Sequence, residues 1–172
     1  MDAQMKRTWA EVDFDKLAHN YHALRGLAPA GTKYLGLVKA DAYGHGAVPV
    51  TKKLEELGAD YLGVACLDEA IEVREAGVKT PILILGCTSS IYAAELVKYN
   101  ITQACYDLEY AKELSAGAQK AGGTITVHIQ CDTGMTRLGF MCHEDTMEKS
   151  ASEIIEAVKL PGLKAEGIFT HF

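Results

Sequence analysis

The chain has 172 residues, 48% of them apolar, with 23 acidic side chains against 17 basic ones and a net charge of −6. A domain of this length hides about 70% of its unfolded surface, so a real core is possible. The acidic balance, with no basic run longer than Lys52–Lys53, argues against a nucleic-acid partner, and no apolar stretch approaches the roughly 20 residues of a membrane span.

In chain order, Arg7–Asp13 reads as a short strand and Phe14–Leu27 as a helix. A regular beat begins after Ala30–Gly31. Lys33–Lys39 is a first strand of the repeat, followed by a helix over Ala47–Leu57 that stops at Gly58. Tyr61–Ala65 and the helix Leu67–Ala76, stopped by Gly77, form the second unit. Pro81 opens the strand Ile82–Leu85, and Ser89–Tyr99 is the next helix. Ile101–Tyr106 is the fourth strand, with Asp107 as N-cap of a helix over Leu108–Lys120. Thr124–Cys131 is the fifth strand and a glycine-punctuated loop follows it. A helix over Glu144–Val158, a turn at Pro161–Gly162 and the strand Leu163–His171 complete the pattern.

Near-continuous apolar strands alternating with glycine-stopped helices predict a parallel α/β sheet. Two architectures fit, an open doubly wound sheet or a (β/α)₈ barrel. The first strand runs into Lys39-Ala-Asp-Ala-Tyr-Gly-His-Gly46, which lacks the GxGxxG of a dinucleotide fold, and no GxxxxGK[ST] occurs. The barrel is therefore expected, with about six of its eight strands present.

Five cysteines, Cys66, Cys87, Cys105, Cys131 and Cys142, contain no CxxC pair and fall mostly in strand-like runs. They read as small core residues in a reducing compartment, with neither disulfides nor a metal site expected. Met1–Thr8 precedes no hydrophobic segment, so no secretory signal is expected and the cytoplasm is the expected location.

In barrels the working residues stand at the carboxyl ends of the strands. Lys39, Asp41, Tyr43 and His45 follow the first of these ends; Asp132 and the loop to Arg137 follow the fifth; Thr170 and His171 close the sixth. Each has an ordinary alternative: Lys39 as a solvated strand exit, Arg137 as a surface arginine, His171 as a satisfied core histidine. Tyr43 is equally open, and His45 is expected to shape the turn. Together on one rim they suit an anionic substrate or cofactor. Lys39 follows an apolar run, and a desolvated lysine amine is a nucleophile able to form a Schiff base. Arg137 could grip a carboxylate at two points, and Gly134 and Gly139 would let backbone come close to a ligand.

Four stretches then resemble the bacterial alanine racemase family, in order and spacing. These are Thr8-Trp-Ala-Glu-Val-Asp13 with Leu17-Ala-His-Asn20, the Lys39–Gly46 segment, Asp132-Thr-Gly-Met-Thr-Arg-Leu-Gly139, and Gly167-Ile-Phe-Thr-His-Phe172. The resemblance implies pyridoxal 5′-phosphate on Lys39, interconversion of L- and D-alanine, and D-alanine supplied to peptidoglycan. It implies that Tyr43 donates to the cofactor phosphate, that Arg137 orients the cofactor phenolate and the substrate carboxylate, and that His171 lies beneath the ring. It also implies a homodimer. Residues 1–172 would be the N-terminal part of the barrel domain, without the family's C-terminal β domain, and weakly active or inactive alone. The second proton carrier, a tyrosine of the neighbouring subunit's C-terminal region in the family, would lie after Phe172.

Two positions depart from the family pattern. Gln130 stands where many members have lysine and is expected to hold Arg137 through its amide; Thr136 replaces a common glycine. A non-racemising pyridoxal-phosphate-binding protein, a serine or broad-spectrum racemase, and a non-catalytic scaffold are the competing readings.

Overall fold

The computed structural model describes residues 8–172. The opening strand expected at Arg7–Asp13 is not formed over its described part, where residues 8–13 carry no regular structure and Trp9 is 66% exposed; Arg7 lies outside the described residues. No sheet edge accepts this segment, and an extended chain without a ladder partner leaves its backbone to water. Helix α1 (Phe14–Leu27) begins at Asp13, whose carboxylate accepts from the N–H groups of Asp15 and Lys16.

Seven strands follow: β1 (Leu35–Leu37), β2 (Tyr61–Val64), β3 (Ile82–Ile84), β4 (Thr102–Cys105), β5 (Ile125–Asp132), β6 (Phe140–Met141) and β7 (Leu163–Thr170). All pairings are parallel and run β1-β2-β3-β4-β5; β6 adds to the last two residues of β5, and β7 runs along it with a bulge between Val127 and His128. The two-residue β6 lies inside what reads in sequence as a loop. Helices α2 (Ala47–Glu56), α3 (Leu67–Glu75), α4 (Ala93–Lys98), α5 (Leu108–Lys120) and α6 (Met147–Ala157) connect them. The helix expected over Ser89–Tyr99 is split into a 3₁₀ turn, Ser90–Tyr92, and α4. At this point the α5 backbone comes so close that a Cβ on Gly117 would stand 2.8 Å from the Ser90 carbonyl oxygen.

Strand order distinguishes the two architectures, because it never reverses. Curvature confirms the choice. The Tyr61 ring on β2 lies 5.3 Å from the His128 ring on β5, and the Tyr61 hydroxyl is 2.6 Å from Thr102 Oγ1 on β4. In a flat sheet, strands three places apart stand roughly 14 Å apart. The sheet is curled into part of a (β/α) barrel.

The opposite face of the strands holds the core. Leu62, Val64, Ile82, Ile84 and Cys105 meet Val73, Leu96, Ala111 and Leu114 of the helices, all buried. At the amino ends of β3 and β4 the Arg74 guanidinium donates to the carbonyls of Val78, Thr80, Tyr99 and Asn100 at 2.8–3.2 Å. Beside it the Glu55 carboxylate accepts from the N–H groups of Lys79 and Thr80, each at 2.7 Å. These ties brace the end of the barrel remote from the carboxyl rim.

Candidate active site

β1 is last tied to β2 by the Val38 N–H, which donates to the Gly63 carbonyl at 2.8 Å. Lys39 then opens a helical turn to Gly44 in which Ala40, Asp41, Ala42 and Tyr43 all have φ between 50° and 55°. The turn is left-handed. L-residues resist this by about 1–2 kcal/mol each, so four in succession hold strain comparable with the net stability of a domain.

Specific ties hold it. The Ala42 N–H donates to the Val38 carbonyl at 2.9 Å, Gly46 N–H to the Asp41 carbonyl at 3.0 Å, and Ala47 N–H to Asp41 Oδ1 at 2.6 Å. His45 Nδ1 donates to the Ala42 carbonyl at 2.9 Å. Asp41 is thus occupied with the turn. Glu69, which no sequence motif singles out, accepts from the Ala40 N–H at 2.8 Å and from the Ala65 N–H at 2.7 Å. Its only sequence signal is a carboxylate in the first turn of the helix after β2. Lys39 is half-buried, and its amine stands 6.0 Å from the centroid of the mostly exposed Tyr43 ring.

A second cluster follows β5. Asp132 is buried, and its Oδ1 accepts from the N–H groups of Gly134 at 2.9 Å and Thr136 at 3.0 Å, with His143 Nε2 at 3.7 Å. Those two backbone donors, Thr136 first, hold the carboxyl below its ordinary 3.8. A depressed folded-state value means that the stabilisation is fully present above that ordinary value and is lost as pH falls through the folded one. The loop amides of Gly134 and Thr136 are therefore expected to lose hydrogen-exchange protection as pH drops below 3.8; unchanged protection at lower pH would contradict this account.

Arg137 is exposed and lines a cavity of about 360 Å³ with Tyr106, Asp107, Asp132 and Met141. The loop is tied to the end of β7 by a 2.7 Å hydrogen bond between the hydroxyls of Thr133 and Thr170. His171, next along, is exposed, with Nδ1 donating to the Phe172 carbonyl at 2.7 Å. The rim thus carries two groups, Lys39 with Tyr43, and the Arg137 loop with Thr170–His171. Among the described residues no hydrogen bond or ion pair joins one group to the other.

Gln130 does not hold Arg137. It is buried, and its Oε1 has no hydrogen-bond partner among the described residues. Asp132 folds the intervening backbone back on itself, and Arg137 leaves on the exposed side, beside Met141. The cysteine expectation also needs correction: Cys105 and Cys131 are buried, but Cys66 and Cys87 are exposed. These two follow the carboxyl ends of β2 and β3, where backbone turns outward, and Cys87 Sγ lies 2.7 Å from the Tyr106 hydroxyl. Burial pushes the Cys105 thiol up to about 12 and the Cys131 thiol up to about 11, so neither is a nucleophile near neutral pH.

Comparison with known proteins agrees with this geometry. The model of the family described as alanine racemase, N-terminal domain, matches residues 12–172. Alanine racemase of Clostridium perfringens strain SM101 is 44% identical over 172 residues, covering all of this chain and 43% of that protein. Alanine racemase 1 of Caldanaerobacter subterraneus subsp. tengcongensis is 41% identical over 168 residues, covering 98% of this chain and 42% of that one. Among solved structures, alanine racemase of Clostridium difficile 630 in complex with cycloserine superposes with a TM-score of 0.91 at 43% identity, over 98% of this chain and 45% of that one. The alanine racemase of Bacillus anthracis with bound L-Ala-P gives 0.87 at 32% identity, over 97% of this chain and 42% of that one. The chain spans less than half the length of these relatives. It belongs to the alanine racemase N-terminal-domain family.

Proposed function

We propose that this chain is the lysine-bearing N-terminal part, residues 1–172, of the barrel domain of an alanine racemase that uses pyridoxal 5′-phosphate. One observation carries the reading: a lysine at the carboxyl end of the first barrel strand heads a braced left-handed turn and makes no ion pair among the described residues. The donor set suits the cofactor. A primary amine meets an aldehyde, a phenol and a guanidinium meet anionic oxygens, and all stand at one rim. Pyridoxal phosphate, when bound, supplies a conjugated electron sink that acidifies the substrate Cα–H.

The chain's own residues supply position and proton transfer. Lys39 Nζ would hold the cofactor aldehyde and would move a proton at Cα on one face of the substrate, a role worth about 10²–10⁴ in rate. The Tyr43 hydroxyl would donate to the phosphate. The Arg137 guanidinium, on the loop that Asp132 folds, would orient the cofactor phenolate and the substrate carboxylate through paired N–H donors. His171 would supply part of the shell beneath the cofactor ring. In this scheme the opposite face is served from outside these residues by a partner subunit in a homodimer, and the reaction takes place in the cytoplasm.

The test is direct. The purified chain mixed with pyridoxal phosphate should gain absorbance near the violet edge of the visible, and borohydride should fix the label on Lys39. In a separate, unreduced sample, added alanine should exchange its Cα hydrogen with deuterated solvent for one enantiomer faster than the enantiomers interconvert. A label spread evenly over the lysines would end this reading.

A further inference from the structure

We propose that Glu69 is a positioning residue for Lys39, its carboxylate fixing the direction in which the amine leaves the sheet. This deepens the reading above and rests on Lys39 being the reactive lysine. One Glu69 oxygen takes the N–H of Ala40, the first left-handed residue, and the other takes the N–H of Ala65, the first residue beyond β2. One side chain therefore couples the root of the turn to the neighbouring strand end, just where the β1–β2 ladder stops.

The residue type suits the task. An ionised carboxylate is acceptor-only and offers two oxygens to two donors, and charge-assisted bonds of this kind are the strong ones. Glu69 stands in the first turn of α3, where negative charge is favoured. The same helix buries Ala70 and Val73 completely against the strands, so the carboxylate is delivered from a rigid element. The far end of the turn is gripped independently, by Asp41 Oδ1 on the Ala47 N–H. With both ends held, the four strained residues have a single path. If the near end is released, β1 stays tied through Val38, but the residue directly before Ala40, which is Lys39, loses its heading.

The experiment compares wild-type chain with Glu69→Gln and Glu69→Ala. Glutamine keeps the shape but turns an NH₂ toward one of the two donors, so it retains one bond. The first readout is hydrogen exchange at the Ala42 amide, which bonds to the Val38 carbonyl and not to Glu69. It should quicken about tenfold in Glu69→Gln, and further in Glu69→Ala, with far-ultraviolet circular dichroism unchanged. The second readout is the share of borohydride-fixed pyridoxal phosphate on Lys39 relative to Lys33 and Lys52, which should fall about tenfold. Exchange at Ala42 within twofold of wild type in both variants would overturn the proposal. A wild-type chain that takes no label on Lys39 would defeat the cofactor reading instead, leaving the exchange comparison to decide the part played by Glu69.

Discussion

Lys39→Ala is expected to abolish both the violet absorbance and the borohydride-fixed label, while the fold survives. The amine is half-buried at the rim and makes no ion pair among the described residues, so its removal should change stability by no more than about 0.5 kcal/mol. On the proposed function the chemical loss is far larger, because the variant would lack both the nucleophile that fixes the cofactor and one proton carrier. The second role alone is worth about 10²–10⁴ in rate. Lys39→Arg should fail as completely, since a guanidinium does not give up its proton. Absorbance titration, peptide mapping and a thermal melt on the three proteins check this together. A variant that keeps the band shows that another lysine is responsible.

Gly139→Ala is expected to be the most destabilising single-methyl change near the rim. A Cβ there would stand 2.5 Å from Asp132 N, 2.8 Å from Cys131 C and 2.9 Å from Gln130 O, at a φ of +135°. All three atoms are backbone of β5, which is fixed by its ladders to β4 and β7 and cannot recede. Unfavourable φ costs about 1–3 kcal/mol and overpacking about 1–3 kcal/mol more. For a chain of this size that amounts to a fall in Tm of roughly 10 °C. Gly134→Ala is the comparison: its φ is +141°, but nothing lies within 4 Å of the added atom. Calorimetry should find the Gly134 variant clearly the more stable of the two; equal melting temperatures would remove close approach as the cause.

Features written in local chemistry are legible from the residues alone. Asp107 caps α5 by accepting from the Tyr110 N–H at 2.7 Å, and Gly58, Gly77 and Gly122 end helices with φ of 82°, 92° and 68°. Apolar strands between such stops specify a parallel sheet, and the missing dinucleotide fingerprint favours a barrel. Features set by tertiary partners are not legible in this way. Ala-Asp-Ala-Tyr contains no glycine, so nothing in residues 40–43 announces a left-handed path; Glu69, Asp41 and Val38 impose it. The division of Ser89–Tyr99 follows from the closeness of Gly117 on another helix. At the site, residue types on the rim can be read from strand ends, but side-chain directions cannot. Gln130 and Arg137 are seven positions apart on one continuous segment and still part company, because Asp132 bends the chain between them.

The handedness of the segment after Lys39 also bears on assembly. Four L-residues in that conformation have no nucleus of their own and gain nothing from forming early. Their geometry is dictated from outside, by a neighbouring strand end and a docked helix, so it arrives only once those parts have met. A collapsed but misassembled chain carries an ordinary solvated lysine at this position. On the proposed function, competence for chemistry would follow completion of folding, and an immature molecule would offer at that amine no more than any other solvated lysine.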